Sequence, residues 1–202
     1  PNGVYGQRAS STLLRSVKDA GGTVVSIQTF NRDAKSLEAA SRKLAQNGDF
    51  EAVLIADNGD MAIKAAPYIR KNATETAKIL GTDLWNTSSN LAGAPSMRGA
   101  WFASVSDSLY KQYADRYRAR YGAAPFRLSS LGYDSVLLTV KVARNWKVGS
   151  PFPINQLTDK GGFIGLDGVF RFKANGVSER ALEVQEIRNG SFAVIDPAPK
   201  GF

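Results

Sequence analysis

Residues 51–85, "EAVLIADNGDMAIKAAPYIRKNATETAKILGTDLW", decide the fold. The run 51–56 is apolar almost throughout, as expected of a β-strand covered on both faces. A helical pattern follows from about Asp60 to Lys71, where Pro67 is expected to kink the helix or open a second short one. "AKILG" (77–81) then reads as a second buried strand. A strand, a helix and a strand in this order imply parallel pairing with a right-handed crossover.

The pattern extends in both directions. Upstream, Ala9, Leu13, Leu14 and Val17 recur at helical spacing between Gln7 and Ala20, and Gly21-Gly22 supplies a stop. "TVVSI" (23–27) reads as a short strand, and a helix is expected from about Lys35 to Asn47, ended by Gly48. Downstream, "GAWFASV" (99–105) is a further buried strand. The predicted class is α/β, a Rossmann-like three-layer lobe with a parallel sheet. The second half changes character. A helix is expected over Ser108–Tyr121 and a longer one from about Leu128 to Asn145, followed by a Gly/Pro-rich stretch read mostly as loop. "GVFRF" (168–172), "ALEVQEI" (181–187) and "SFAVI" (191–195) read as strands joined by turns at Asn175-Gly176 and Asn189-Gly190, the latter a two-residue hairpin signal.

The chain has 202 residues, with neither cysteine nor histidine. That removes disulfide frameworks, thiolate zinc sites, Cys nucleophiles and His-dependent triads. No pair stands out as nucleophile plus base, so no catalysis, metal or cofactor is expected. "DNGD" (57–60) lacks the alternating oxygen ligands and distal glutamate of a calcium loop. The net charge of +8 comes from dispersed Lys and Arg, which reads as a basic surface. In "YKQYADRYRARYG" the tyrosines fall on one helical face, which favours packing over stacking on nucleic-acid bases. No run approaches the roughly 18 apolar residues of a membrane span. The opening "PNGVYGQR" resembles a loop after a strand, so a fragment lacking its upstream part and any export signal is expected.

In open parallel sheets ligands bind outside the carboxyl ends of the strands. The loops at those ends carry Tyr5, Asp57, Asn58, Asp60, Asp83 and Trp85. A carboxylate there can hold an ammonium group while aromatics wall off an apolar side chain. The alternative is that Asp57 and Asp83 cap the following helices.

The order of "YGQRASSTLLRSVKDAGGTVV", "FEAVLIADNGD", "AKILGTDLW", "FASVSDSLYKQYADRYRARYGAAP", "LGYDSVLLTVKVAR" and "GLDGVFRFKANG" resembles the type I periplasmic binding proteins of the Leu/Ile/Val-binding kind. "LGTDLW", "RGAWFA", "RLSSLGYDSV" and the region from "GLDGVFRF" to "IDPAP" are also similar to the penicillin-binding protein activators, which carry the same fold. The resemblance implies two lobes that close around a ligand by hinge motion. It assigns 1–105 to the second lobe, 106–168 to helices and a loop returning toward the first, and 169–202 to a hairpin and tail returning to the second; the opening half of the first lobe is absent. It implies that Tyr5 lies over the ligand, that Asp57 or Asn58 touches it, and that Asp83 grips an α-ammonium. "GTDLW" departs from the usual proline-plus-glutamate version, and Trp85 could fill the pocket.

Three functions follow from these readings. One is non-catalytic capture of an amino acid or similar small polar ligand, delivered to a membrane ABC transporter. Another is regulation of peptidoglycan synthases through protein contacts by an envelope-associated protein. The third, nucleic-acid binding, rests only on charge and the Tyr/Arg helix and is not expected. A periplasmic or cell-envelope location accompanies the first two.

Overall fold

A computed structural model describes residues 1–73, 76–144 and 146–202. The chain divides into two compact units, Pro1–Ser104 with Gln185–Ile195, and Val105–Val184 with Asp196–Phe202.

The first unit opens with helix α1 (Val4–Asp19), after which Gly21 takes a left-handed φ of 78° and turns the chain. Residues 22–30 then run without helix or strand. Helix α2 (Ala34–Ala45) starts where the Asp33 carboxylate accepts the Ser36 N–H at 2.8 Å. Strand β1 (Ala52–Ile55) leads into helix α3 (Gly59–Asn72), capped by Asn58, whose Oδ1 accepts the Met61 N–H at 2.9 Å. Strand β2 (Lys78–Gly81) pairs in parallel with β1 over its whole length, and β3 (Trp101–Ser104) pairs in parallel with β2. Late in the chain, β7 (Glu183–Arg188) and β8 (Ser191–Asp196) complete a five-stranded sheet of order β1-β2-β3-β7-β8. The Asn189-Gly190 turn joins the last two strands, with Gly190 at φ 74°. Alternate residues Val53, Ile55, Ile79 and Phe102 bury against Ala62, Ala66 and Ile69 of α3, with Trp85, Leu91 and Met97 filling the space between.

The second unit contains α4 (Ser108–Tyr121), α5 (Ser129–Ala143) and an antiparallel sheet of β4 (Phe163–Gly165), β5 (Gly168–Phe172) and β6 (Ser178–Arg180). Arg127 ties it together: it pairs with Asp107 at 3.0 Å and Asp167 at 2.7 Å, and its guanidinium lies 3.8 Å from the Tyr110 ring centre. The α4 tyrosines form a ladder, half-buried at Tyr110, Tyr113 and Tyr117 and exposed at Tyr121, with Tyr113 5.2 Å from Tyr133 of α5.

Three expectations need correction. "TVVSI" forms no ladder with any described strand. Pro67 neither kinks α3 into two nor ends it. It faces solvent, where water can satisfy the carbonyl that its missing N–H leaves open. The stretch read as loop contains β4, and β5 and β6 form a sheet of their own in the second unit, so only the final hairpin joins the parallel sheet. The expected end of the long helix at Asn145 lies outside the described residues.

Candidate functional site

The carboxyl ends of β1 and β2 and the first turn of α1 meet at one rim of the parallel sheet. Tyr5 is the second residue of α1, and its hydroxyl lies 3.0 Å from the Thr82 hydroxyl, which follows β2 directly. Asp83 comes next and opens a short 3-10 turn, Asp83–Thr87. Tyr5 is 39% exposed and Asp83 is also exposed. Among the described residues Asp83 has no hydrogen-bond or ion-pair partner, and it caps no helix. It is an exposed acidic residue that follows Thr82 directly in the chain.

Asp57 is handled differently. It follows β1, is almost completely buried, and takes a two-pronged grip from Arg32, Nε to Oδ2 and Nη2 to Oδ1, both at 2.9 Å. Its Oδ1 also accepts the Asn58 N–H at 2.8 Å. Burial alone would raise the Asp57 carboxyl, but the Arg32 bonds, the Asn58 N–H and the nearby positive charge outweigh it and hold the group below its ordinary value. Asp57 is therefore a neutralised structural anion and not a spare charge for a ligand. Asn58 spends its side-chain oxygen on the α3 cap, which leaves its exposed amide nitrogen at the rim. Asp60 accepts the Ser88 hydroxyl at 2.7 Å and so fastens the turn after β2 to the start of α3.

Trp85 lies beneath the rim. The indole is fully buried, its N–H donates to the Asp57 carbonyl at 3.0 Å, and its ring centre is 6.0 Å from that of Phe102. A Cβ at Gly81 would fall 2.2 Å from the indole, so only glycine lets the ring lie across the end of β2. The residue read as a pocket wall is a floor, because an indole this size finds more apolar contact inside than at a rim. The structure thus brings Tyr5, Thr82 and Asp83 together at the surface, with Asp57, Asn58 and Trp85 as their support. Thr82 and Arg32 were missed by the sequence reading. Thr82 was legible as a hydroxyl next to the proposed acid; Arg32 is 25 residues from Asp57 and carries no local signal.

The family described as "Periplasmic binding protein" matches residues 1–191, and the chain belongs to that family. No curated protein matches it. Among solved structures, the branched-chain amino acid transporter substrate-binding protein LivJ from Streptococcus pneumoniae, in complex with isoleucine, is 24% identical with a TM-score of 0.63, over 98% of this chain and 57% of its own. An ABC transporter substrate-binding protein from Desulfitobacterium hafniense is 20% identical with a TM-score of 0.68, over 96% of this chain and 58% of its own. Full-length LpoA from Haemophilus influenzae is 17% identical with a TM-score of 0.68, over 98% of this chain and 35% of its own. At these identities the likeness establishes the fold, that of the type I periplasmic binding proteins. The chain spans little more than half the length of the first two and about a third of LpoA. No helix among the described residues is long and apolar enough to cross a membrane.

Proposed function

We propose that the chain is a non-catalytic ligand-binding module of a periplasmic substrate-binding protein. The rim of Tyr5, Thr82 and Asp83 forms one wall of a site for an amino acid or similar small polar ligand. The observation that carries this reading is the 3.0 Å approach of the Tyr5 and Thr82 hydroxyls, with the exposed Asp83, which has no partner among the described residues, next in the chain. A carboxylate and two hydroxyls suit an ammonium group, which presents three donors and no acceptor. Delivery to an ABC-type membrane transporter, and a periplasmic or envelope setting, are part of this proposal and are supported by the family match. Calorimetry of the full-length protein against a panel of amino acids tests the reading. At least one member binds, and Asp83→Ala weakens that binding about tenfold or more, the worth of one charge-assisted bond. Silence across the panel, or unchanged affinity in the variant, refutes it.

A second reading is favoured by a separate observation. Asp57 is already neutralised by Arg32 and Trp85 is sealed in the core, so two of the residues expected to touch a ligand are spent on structure. A module with so reduced a site fits an envelope regulator of peptidoglycan synthases, the role implied by resemblance to the penicillin-binding protein activators. Addition of the full-length protein to purified synthase then changes the synthesis rate; an unchanged rate, with no synthase recovered in pull-downs, excludes it.

A further inference from the structure

The five-stranded sheet ends on β8, and among the described residues no strand lies on its outer side. An edge strand presents a row of unpaired N–H and C=O groups, and natural proteins blunt such edges with lysine, proline, bulges or very short strands. β8 carries none of these defences. It is six residues long, Ser-Phe-Ala-Val-Ile-Asp, with its one charge at the last position and Pro197 just beyond it.

Phe192 and Val194, two residues apart, share one face of the sheet. That face carries the core, because the Phe192 ring stands edge-on to Phe102 with ring centres 5.4 Å apart, and Phe102 belongs to the cluster buried with α3. Yet Phe192 is 41% and Val194 52% exposed. The apolar side of the sheet runs out to the edge and stops there without cover.

A second copy of β8 supplies that cover, and the sequence selects how it docks. Two copies joined edge to edge by a two-fold axis perpendicular to the sheet run antiparallel, and the axis keeps each face on its own side. Residues directly opposite one another then come from the same face, so the axis passes through a residue and not between two. Only an axis at Ala193 or at Val194 pairs five of the six residues of each strand. With the axis at Val194, the Phe192 ring meets the charged Asp196 of the other copy. With the axis at Ala193, Phe192 of each copy lies opposite Val194 of the other, an aromatic against a β-branched side chain, made twice.

The same register settles the charges. It carries Asp196 of one copy to the Asn189-Gly190 turn of the other, where Arg98 stands exposed and donates from Nη2 to Asn189 Oδ1 at 3.1 Å. Among the described residues neither Asp196 nor Arg98 has an ion-pair partner. Opposite charges therefore meet at both ends of the ladder, which favours this register over its neighbours.

We propose that β8 is the docking surface for a second copy of this chain, paired antiparallel about Ala193 into one continuous sheet. The contact uses the β8 edge of both copies, so the assembly closes at two. Six residues make an edge about 20 Å long. A contact that narrow belongs to the small, transient end of specific interfaces, and half-association at about 10–100 μM is expected.

The chain has no cysteine, so one introduced thiol reports one contact. The test compares Ala193→Cys, Val194→Cys and Ile195→Cys by mild oxidation and non-reducing electrophoresis, with the unsubstituted protein as control. Across the axis the two copies of residue 193 lie about 4.5–5.5 Å apart, within disulfide reach. Residues 194 and 195 are offset from their counterparts by two and four positions, beyond the ~7 Å limit. Ala193→Cys should form a covalent dimer about tenfold or more faster than the other two, and adding Val194→Lys should slow it to their rate. Sedimentation of the unsubstituted protein should show the mass rising toward a dimer with concentration. Equal cross-linking at the three positions, fastest cross-linking at Val194, or products larger than a dimer overturn the pairing. So does a monomer mass at every concentration up to about 1 mM. If Val194→Lys fails to fold, the three cysteine variants decide the matter without it.

Discussion

Replacing Arg32 with Met isolates the electrostatics beneath the rim. The Asp57 carboxylate is 1% exposed and loses two charge-assisted bonds of 2.9 Å, keeping only the Asn58 N–H. Removing one partner of a fully buried ion pair costs about 3–5 kcal/mol. The Arg32 side chain is 59% exposed, so water already screens part of the interaction, and a loss of about 2–3 kcal/mol at pH 7 is expected. The pH dependence gives the sharper check. In the wild type the Asp57 carboxyl is held below its ordinary value, so its contribution is present above the unfolded-state pKa and is lost as pH falls through the folded one. In the variant burial prevails and the carboxyl takes up its proton more readily. The difference between the two proteins should therefore shrink between pH 7 and pH 3.5. Urea unfolding followed by tryptophan fluorescence at both pH values measures it, since Trp85 reports directly on this unit. A loss of equal size at both pH values, or one under about 0.5 kcal/mol at pH 7, would refute the reasoning.

Other consequences can be checked alongside. Trp85→Ala should cost about 3–5 kcal/mol through the emptied space over Gly81 and Phe102, and Gly81→Ala should cost about 1–3 kcal/mol or more by forcing the indole aside; both are read from urea midpoints. Asp134 shows the opposite pH behaviour to Asp57. Burial raises its carboxyl, and the Leu166 N–H only partly opposes this, so the folded state holds the proton more firmly than the unfolded one and stability falls as pH rises through the folded-state pKa. Asp134→Asn should accordingly gain about 1 kcal/mol at pH 7 and nothing near pH 3.5 in thermal melts. Tyr5→Phe should change stability by less than about 1 kcal/mol, because its partner Thr82 can turn to water, yet weaken amino-acid binding several-fold in the same calorimetry as Asp83→Ala.

Much of the parallel sheet was legible because β1 and β2 are short apolar runs and α3 between them places Met61, Ala65 and Ile69 on one face. Local signals of that kind survive without tertiary context. The 23–30 segment misled for the opposite reason. Its β-rich composition is real, but a strand is defined by its partner, and the described residues supply none. β4 and β6, three residues each, were missed because strands so short leave no periodicity to read. At the rim, loop position placed Tyr5, Asp57, Asn58 and Asp83 at one end of the sheet, but it could not say which acid was already paired. That depends on Arg32, brought to Asp57 by the fold. Trp85 was assigned the wrong surface because aromatic residues near a strand end read alike whether they face a ligand or the core, and the glycine that lets the ring lie inside is four residues earlier.

Everything functional turns on whether the surface formed by Tyr5, Thr82 and Asp83 holds a small amine-bearing solute. The direct measurement is a nuclear magnetic resonance titration of ¹⁵N-labelled protein with leucine and isoleucine, following the backbone amides. The expected outcome is saturable shifts gathered on Tyr5, Asn58 and residues 82–84, absent in Asp83→Ala. Amides at the rim that stay still up to millimolar amino acid, or shifts gathered instead away from the rim around Val24 and Leu44, would contradict it.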